Sequence, residues 1–352
     1  MGGGISGRGS HARFLRVAAV ALALFAAASV ARADSARAED AAAWLARAAA
    51  AARQLNYTGT IVYQHGVYVE TSRLIHLYDG GEEYDKLVTL EGPQREVIRS
   101  HGEVRCFYAD AKLVRVEPRT LRNAFPSLSP EQQKALADFY NFRKAESARV
   151  AGFETQAWVF EPKDGLRYGH KFWTDVATGL ILKALVVGEN NAVREQFVFS
   201  DVAIGAKLDM AMVTPTWPQL PPGWKVRQLG KAESETGETG WTVTRVPPGF
   251  VKIVDGYRHF ERAHKVAHLV YSDGLTAVSV FIEPGRTSLP PNGFSAQSGF
   301  NVYSRQIDDS VVTVLGQVPA LTVRQIGNAV ARRERDRSPG PPSSSSKEAD
   351  SK

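Results

Sequence analysis

Hydrophobic and polar positions alternate in short runs along most of the chain, and this alternation predicts strands. Turns such as Asp79-Gly80-Gly81 and Glu91-Gly92-Pro93 separate the runs, a punctuation typical of an antiparallel meander. Asp164-Gly165 and Ala177-Thr178-Gly179 supply later hairpin turns. The predicted strands of this part are Tyr57–Tyr68, Ser72–Tyr78, Glu83–Leu90, Arg95–Ser100, Glu103–Tyr108, Ala157–Glu161, Arg167–Thr174, Leu180–Val187 and Val193–Phe199.

Three segments instead place apolar residues at helical spacing. The first begins with Asp40 as a cap and runs to about Leu55. The second, Ser129–Lys144, begins with a serine cap, a proline at the first helical position and a glutamine three residues after the cap. The third runs from about Pro319 to Arg332. The apolar faces comprise Trp44, Leu45, Ala48, Ala52 and Leu55, then Leu136, Phe139 and Tyr140, and finally Val323, Ile326 and Val330.

A proline-rich stretch, residues 205–222, predicts a linker between two domains. The large domain would comprise residues 34–204 and the small C-terminal domain residues 223–332. Residues 333–352, rich in serine and proline, predict a disordered tail. The predicted strands of the small domain are Trp224–Leu229, Trp241–Arg245, Ala267–Ser272, Ala277–Glu283 and Val311–Leu315.

Residues 1–33 are typical of a secretory signal peptide. Arginines precede an alanine-rich apolar run at Val17–Val30, and Ala31-Arg32-Ala33 matches an A-x-A cleavage site. An uncleaved membrane anchor is the alternative, but the run is shorter than the roughly 20 apolar residues that a spanning helix needs. We therefore expect an exported mature chain that begins at Asp34.

The charge of the chain argues against nucleic-acid binding. The formal net charge is +6, but four of the 43 basic residues are arginines of the signal segment, which contains no acid. The mature chain would keep 39 basic residues against 37 acidic ones. A general nucleic-acid binder would show a concentrated basic surface instead.

The single cysteine, Cys106, excludes an intramolecular disulfide, a CxxC redox site and a thiolate zinc cluster. It lies in the strand-like run Val104–Tyr108. A buried, inert thiol and an intermolecular disulfide are the two interpretations that remain.

No motif points to catalysis. GxSxG, HExxH and P-loop patterns are absent, and no spacing singles out a nucleophile with its base. His264 and His268 are four residues apart, as metal ligands on a helix would be, but this segment is strand-like and offers no third ligand. We predict no catalytic residue, no cofactor and no metal site, and the ligand-binding residues stay unknown.

Aromatic residues cluster in the later strands. Tyr168, His170 and Phe172 alternate with Gly169, Lys171 and Trp173, and Phe197 and Phe199 share a face nearby. Such residues suit an ordinary core, and they also suit the concave face of a curved sheet that holds acyl chains.

Motifs spread from about Ala43 to Val330 resemble the RseB/MucB family, the periplasmic sigma-E factor regulators. In the large domain they are Leu55-Asn56-Tyr57-Thr58-Gly59, Leu90-Glu91-Gly92-Pro93-Gln94-Arg95-Glu96-Val97-Ile98-Arg99, and Asp164-Gly165-Leu166-Arg167-Tyr168 with Trp173-Thr174-Asp175. In the C-terminal part they are Leu220-Pro221-Pro222-Gly223-Trp224, Tyr271-Ser272-Asp273-Gly274-Leu275 and Gly316-Gln317-Val318-Pro319. Their order, spacing and coverage together carry the resemblance.

The resemblance implies an α+β fold: an open, strongly bent antiparallel sheet with helices in its concavity, as in LolA/LolB carriers, plus a smaller α+β C-terminal domain. It implies a non-enzymatic negative regulator of the sigma-E envelope stress response in the periplasm. Such a regulator binds the periplasmic domain of an RseA/MucA-like membrane anti-sigma factor, shields it from proteolysis, and is released by lipopolysaccharide or another lipid. The oligomeric state stays open, including a homo-oligomer.

Two other functions compete with this one. A periplasmic lipid or lipoprotein carrier would use the same large domain but would not need the second. A periplasmic hydrolase would need a catalytic constellation and ranks last. For lipid phosphates, the basic cluster of Lys112, Arg115, Arg119 and Arg122 is a candidate contact, and a solvated loop is its alternative.

Overall fold

The computed structural model describes residues 39–118, 136–228, 239–259, 265–285, 293–297 and 299–333. The predicted signal peptide lies outside these residues, as does the predicted tail apart from Arg333. No helix within the described ranges is long and apolar enough to cross a lipid bilayer.

Most of the large domain is one sheet. Its strands are β1 (Tyr57–His65), β2 (Tyr68–Asp79), β3 (Glu82–Thr89), β4 (Arg95–Ser100), β5 (Glu103–Tyr108), β6 (Leu113–Pro118), β7 (Tyr140–Val150), β8 (Phe153–Pro162), β9 (Gly169–Asp175), β10 (Ile181–Val187), β11 (Val193–Ile204) and β12 (Lys225–Gln228). Their order is β12-β6-β5-β4-β3-β2-β1-β11-β10-β9-β8-β7. The sheet stays open because β12 and β7, at its two ends, do not pair with each other. The predicted fold class is confirmed.

Helix α1, residues 39–54, packs on the inner face of this sheet. Leu45 and its apolar neighbours join a core cluster with Phe160 and Phe172. The Trp44 ring lies 5.5 Å from the Phe160 ring and 5.7 Å from the Phe172 ring. These contacts bury the apolar stripe predicted from helical spacing, so the helix occupies the concave side as expected.

The second predicted helix, Ser129–Lys144, is wrong in its C-terminal part. Residues 136–139 are helical and belong to helix α2, whereas Tyr140 begins β7. Buried Tyr140 and Phe142 alternate there with exposed Asn141 and Arg143. This period of two is that of a strand, and the segment pairs with β8. Residues 119–135, including the predicted cap, lie outside the described part.

The predicted linker lies on the outer face of the large sheet. It contains the short helix α3 (Met210–Val213), and Trp217 packs beside Phe107 with ring centroids 6.1 Å apart. The strand predicted at Trp224–Leu229 as the start of the small domain belongs instead to the large sheet, because β12 pairs in parallel with β6. The chain therefore remains attached to the large sheet as far as Gln228.

The small domain has its own sheet and core. Its strands are β13 (Trp241–Val243), β14 (Val251–His259), β15 (Lys265–Ser272), β16 (Ala277–Pro284), β17 (Gly293–Gln297), β18 (Phe300–Ile307), β19 (Ser310–Gly316) and β20 (Val330–Arg332), with helix α4 (Ala320–Asn328). The sheet order is β14-β15-β16-β19-β18-β17, and β13 pairs with β20. The predicted last helix is four residues too long, because it ends at Asn328 and Val330 lies in β20.

Candidate functional site

The inner face of the large sheet encloses a cavity of about 620 Å³. This volume falls in the range of about 300–1,000 Å³ that is usual for small-molecule sites. Strands β1–β5 and β9–β11 provide the wall, together with Ala52 of α1. Apolar wall residues include Ile61, Leu74, Leu87, Val97, Phe172, Leu185, Phe197 and Phe199. Such a wall suits an apolar chain.

Strand β9 directs its side chains to both faces, as its sequence predicts. His170 and Phe172 line the cavity, whereas Lys171 and Trp173 pair with each other elsewhere, the amine 4.7 Å from the ring centroid. Phe172 also packs in the core beneath α1. The two interpretations of the aromatic pattern, core and cavity wall, therefore both apply to this strand.

His170 contributes a neutral ring to the cavity. Burial lowers the pKa of its imidazole to about 4, although the nearby Asp273 carboxylate acts in the opposite direction. The ring stacks on Phe172 with centroids 5.8 Å apart and planes 6° from parallel. At neutral pH this histidine is an aromatic wall residue and carries no charge.

Charged residues of the cavity wall are paired within the protein. Asp85 Oδ1 lies 2.7 Å from His76 Nδ1, and Asp85 Oδ2 lies 3.1 Å from Arg99 Nε. Arg95 forms an ion pair with Glu70. These pairs make parts of the wall polar without giving it a large excess charge.

The small domain also contributes to the cavity wall. Leu275, Thr276 and Gln317 contribute to the cavity wall, and the Gln317 side-chain amide donates a hydrogen bond to Glu195 of β11. Burial raises the pKa of the Tyr63 hydroxyl there, and the adjacent Glu195 carboxylate adds to the effect. Residues from two domains thus enclose one cavity.

A fully buried ion pair fastens the two domains together close to Leu275 and Thr276. Arg167 Nη1 of the large domain donates to Asp273 Oδ2 of the small domain at 3.0 Å, and both side chains are 0% exposed. The Tyr140 hydroxyl donates to the same carboxylate oxygen at 3.0 Å. We call these three residues the domain latch.

Arg167 makes further contacts with residues of both domains. It donates to the Pro248 carbonyl oxygen, and its guanidinium carbon lies 4.7 Å from the Phe139 ring centroid and 5.1 Å from that of Phe250. One residue earlier, the Leu166 carbonyl accepts a 2.6 Å hydrogen bond from the Thr322 hydroxyl of α4. A buried guanidinium with this many partners holds a defined position.

Only two members of the predicted basic cluster, Lys112 and Arg115, lie within the described residues. Arg115 lies at the cavity edge, 5.2 Å from the ring centroid of the wall residue Tyr108. Lys112 is exposed in a turn, where its carbonyl accepts from the backbone of Lys225. Arg119 and Arg122 lie outside the described part of the chain.

The candidate residues Cys106 and His268 lie in different domains. Cys106 is buried and lines the cavity. His268 is buried in β15, where its ring stacks on Phe281 at 4.4 Å, and His264 lies outside the described residues. In the described ranges no three His, Cys, Asp or Glu side chains are arranged to hold a metal ion.

Sequence reasoning missed the latch. Arg167 lies in the motif Asp164–Tyr168, and Asp273 lies in the motif Tyr271–Leu275. Each motif contains a glycine and was interpreted only as a turn, so its charged residue was given no role. A charged residue beside a turn is normally solvated, and only the folded contact between the two domains buries this pair. The occurrence of an arginine in one motif and an aspartate in the other was the available signal.

The comparisons with known proteins agree over most of the chain between residues 40 and 331. Residues 40–217 match the family described as MucB/RseB N-terminal domain, and residues 235–331 match the MucB/RseB C-terminal domain. The sigma factor AlgU regulatory protein MucB of Pseudomonas aeruginosa is 32% identical over 305 residues, covering 82% of this chain and 89% of that protein. The sigma-E factor regulatory protein RseB of Escherichia coli is 23% identical, covering 80% and 87% respectively.

A solved structure shows the same similarity. The crystal structure of MucB in complex with MucA(peri) superposes with a TM-score of 0.66 at 28% identity. The match covers 84% of this chain and all of that MucB chain.

Proposed function

The chain belongs to the MucB/RseB family, and from this premise we propose that it is a periplasmic regulator that binds the periplasmic region of a membrane anti-sigma factor. The complex of MucB with MucA(peri) carries the proposal, because the similarity covers the whole of that MucB chain. Residues 1–33 would direct export and be removed.

The regulator would act by covering its partner. An anti-sigma segment held against the two-domain surface is withdrawn from a protease, so sigma factor release would be blocked while the complex persists. This activity needs binding and no bond-making chemistry, and we assign the chain no enzymatic role, cofactor or metal.

Lipid would provide the signal for release. The apolar cavity suits acyl chains of lipopolysaccharide or a related lipid. Lipid can release the partner only if it binds the partner-free chain more tightly than the complex. A cavity enclosed by both domains supports this proposal, because an occupant contacts each of them.

A periplasmic carrier of lipid or lipoprotein is the second candidate, and the cavity itself favours it. The small domain favours the regulator. A carrier needs only to hold its cargo, whereas here a second domain with its own core contributes to the cavity wall.

Calorimetric titration of the mature chain, Asp34–Lys352, with the periplasmic segment of an RseA/MucA-like anti-sigma factor from the same organism tests the proposal. We expect saturable one-to-one binding that also slows proteolysis of the segment. Absence of binding, with lipid or lipoprotein still taken up, would favour the carrier. Sedimentation of the same samples would establish whether the chain forms a homo-oligomer.

A further inference from the structure

The turn between β15 and β16, residues Asp273–Thr276, contacts both the cavity and the domain latch. Leu275 and Thr276 form part of the cavity wall. Asp273, two residues before Leu275, is the latch carboxylate. Motion of one part of this short turn therefore reaches the other.

The carboxylate of Asp273 connects the cavity wall to the domain latch. Asp273 Oδ1 accepts the backbone N–H groups of Leu275 at 3.0 Å and Thr276 at 2.9 Å. Asp273 Oδ2 accepts from Tyr140 and Arg167, each at 3.0 Å. Because a carboxylate is rigid and planar, displacement of the backbone at Leu275 and Thr276 changes the position of Oδ2 relative to Arg167.

The rest of the turn is bonded to the small domain. The Ser272 hydroxyl donates to the Thr276 carbonyl at 2.8 Å, and the Thr276 hydroxyl donates to the Gln317 carbonyl at 3.2 Å. These bonds make the turn move with the small domain. The large domain therefore resists this motion of the turn through the Asp273–Arg167 contact.

We infer that the Asp273–Thr276 turn couples the content of the cavity to the arrangement of the two domains. An apolar chain that fills the cavity as far as Leu275 displaces the turn and breaks the Asp273–Arg167 bond. That the natural occupant of the cavity is a lipid rests on the proposed function. The coupling itself applies to any apolar occupant. Coupling is reciprocal, so a broken latch favours occupancy.

Reciprocity gives a direct test with N-phenyl-1-naphthylamine, a neutral apolar fluorophore. The probe is titrated into the mature chain and into Asp273→Asn, which removes the charge that pairs with Arg167. We expect the variant to bind the probe at least about fivefold more tightly, the lower end of usual couplings between sites. Slower alkylation of Cys106 establishes that the probe occupies the cavity whose wall contains this thiol.

Asp175→Asn is the matched control. Asp175 is also a buried aspartate in a turn, but it accepts from the backbone N–H and hydroxyl of Thr178 within the large domain. This variant should bind the probe as the natural chain does. Equal affinity in all three proteins, weaker binding by Asp273→Asn, or a probe that leaves Cys106 alkylation unchanged would each overturn the inference.

If Asp273→Asn does not fold, Tyr140→Phe replaces it. This change keeps the buried ring and removes one hydrogen bond to Asp273 Oδ2. We then expect about twofold tighter probe binding and faster amide exchange at Leu166–Tyr168, and no change in either would overturn the inference. Neither assay contains an anti-sigma segment or lipopolysaccharide, so failure of the proposed function would leave these outcomes unaltered.

Discussion

At the scale of single residues, Arg167 is the side chain on which the contact between the domains depends most clearly. Its partners come from the large domain (Asp164, Tyr140) and from the small one (Asp273, Pro248). Removing one member of a buried ion pair leaves the other charged and desolvated, which costs far more than loss of an exposed pair. The difference between buried and exposed pairs can be measured in this chain.

We expect Arg167→Ala to lower the free energy of unfolding by about 3–5 kcal/mol, because Asp273 stays buried without its main partner. Urea unfolding followed by circular dichroism measures the change. Arg143→Ala is the control, since the Arg143–Glu161 pair is more than half exposed on both sides. It should cost roughly 0–1 kcal/mol, and similar losses in the two variants would contradict the assigned role of Arg167.

A second residue-scale prediction concerns pH. Burial lowers the pKa of His170 from 6.5 to about 4, so the folded chain holds a neutral ring that takes up a proton on unfolding. The stability linked to this ring is complete above pH 6.5 and is lost as the pH falls toward 4. Between pH 7 and pH 4.5 we expect a contribution of about 2 kcal/mol.

Urea unfolding of the natural chain and His170→Phe at those two pH values tests this contribution. Phenylalanine keeps an apolar ring against Phe172 and does not titrate, so the variant should lose about 2 kcal/mol less on acidification. An equal loss in both proteins would contradict the buried, neutral state assigned to His170.

At the scale of secondary-structure elements, local pattern predicted most strands, and the errors lie where distant contacts decide the structure. The predicted strands Arg95–Ser100 and Glu103–Tyr108 match β4 and β5. Tyr140 was assigned to a helix because its spacing from Leu136 suits one, yet pairing with β8 makes it the start of a strand. Strands β6, β14, β17 and β18 were not predicted, and β20 was assigned to the last predicted helix.

The linker shows a similar limit. Its prolines correctly indicate an irregular path, but they do not reveal that Trp217 and Trp224 pack near Phe107, about a hundred residues earlier in the chain. Glu96, only 1% exposed, accepts hydrogen bonds from the backbone N–H and hydroxyl of Thr216. Lys86 pairs with Glu96 at 3.2 Å. The segment is thus held on the sheet by a buried carboxylate.

We expect Glu96→Ala to release this segment, since the Thr216 N–H and hydroxyl lose their acceptor and the partly buried Lys86 amine loses its ion pair, at a cost of about 1–3 kcal/mol. Amide hydrogen exchange of residues 210–224 should become faster in the variant. Glu103→Ala, which removes an exposed partner of Arg105 on the next strand, should leave that exchange unchanged. Unaltered exchange in Glu96→Ala would show that the tryptophans hold the segment without it.

At the scale of the whole molecule, the central feature is a cavity in one domain that a second domain closes. Sequence pattern identified part of its wall, His170, Phe172, Phe197 and Phe199, because alternation places aromatic residues on one face. It could not identify Leu275, Thr276 or Gln317 as wall residues, since these reach the cavity only after the domains dock. The complete cavity wall therefore depends on an interface that local pattern does not encode.

Cys106 provides an internal reporter of cavity occupancy, because the chain has no other cysteine and this one lines the wall. We expect lipopolysaccharide to slow alkylation of Cys106 by N-ethylmaleimide at least about tenfold, as a ligand in excess of its Kd keeps most sites filled. Mass spectrometry of the intact chain follows the reaction. An unchanged rate in the presence of bound lipopolysaccharide would place the lipid outside the cavity.

The most direct test of the regulator is the affinity of the mature chain for the periplasmic anti-sigma segment, measured by calorimetry at increasing lipopolysaccharide concentration. We predict that the apparent Kd rises with lipid, by at least about fivefold at saturation, and that the segment weakens lipid binding by the same factor. A Kd that stays constant while lipid is demonstrably bound would contradict the account, because lipid and partner would then bind independently.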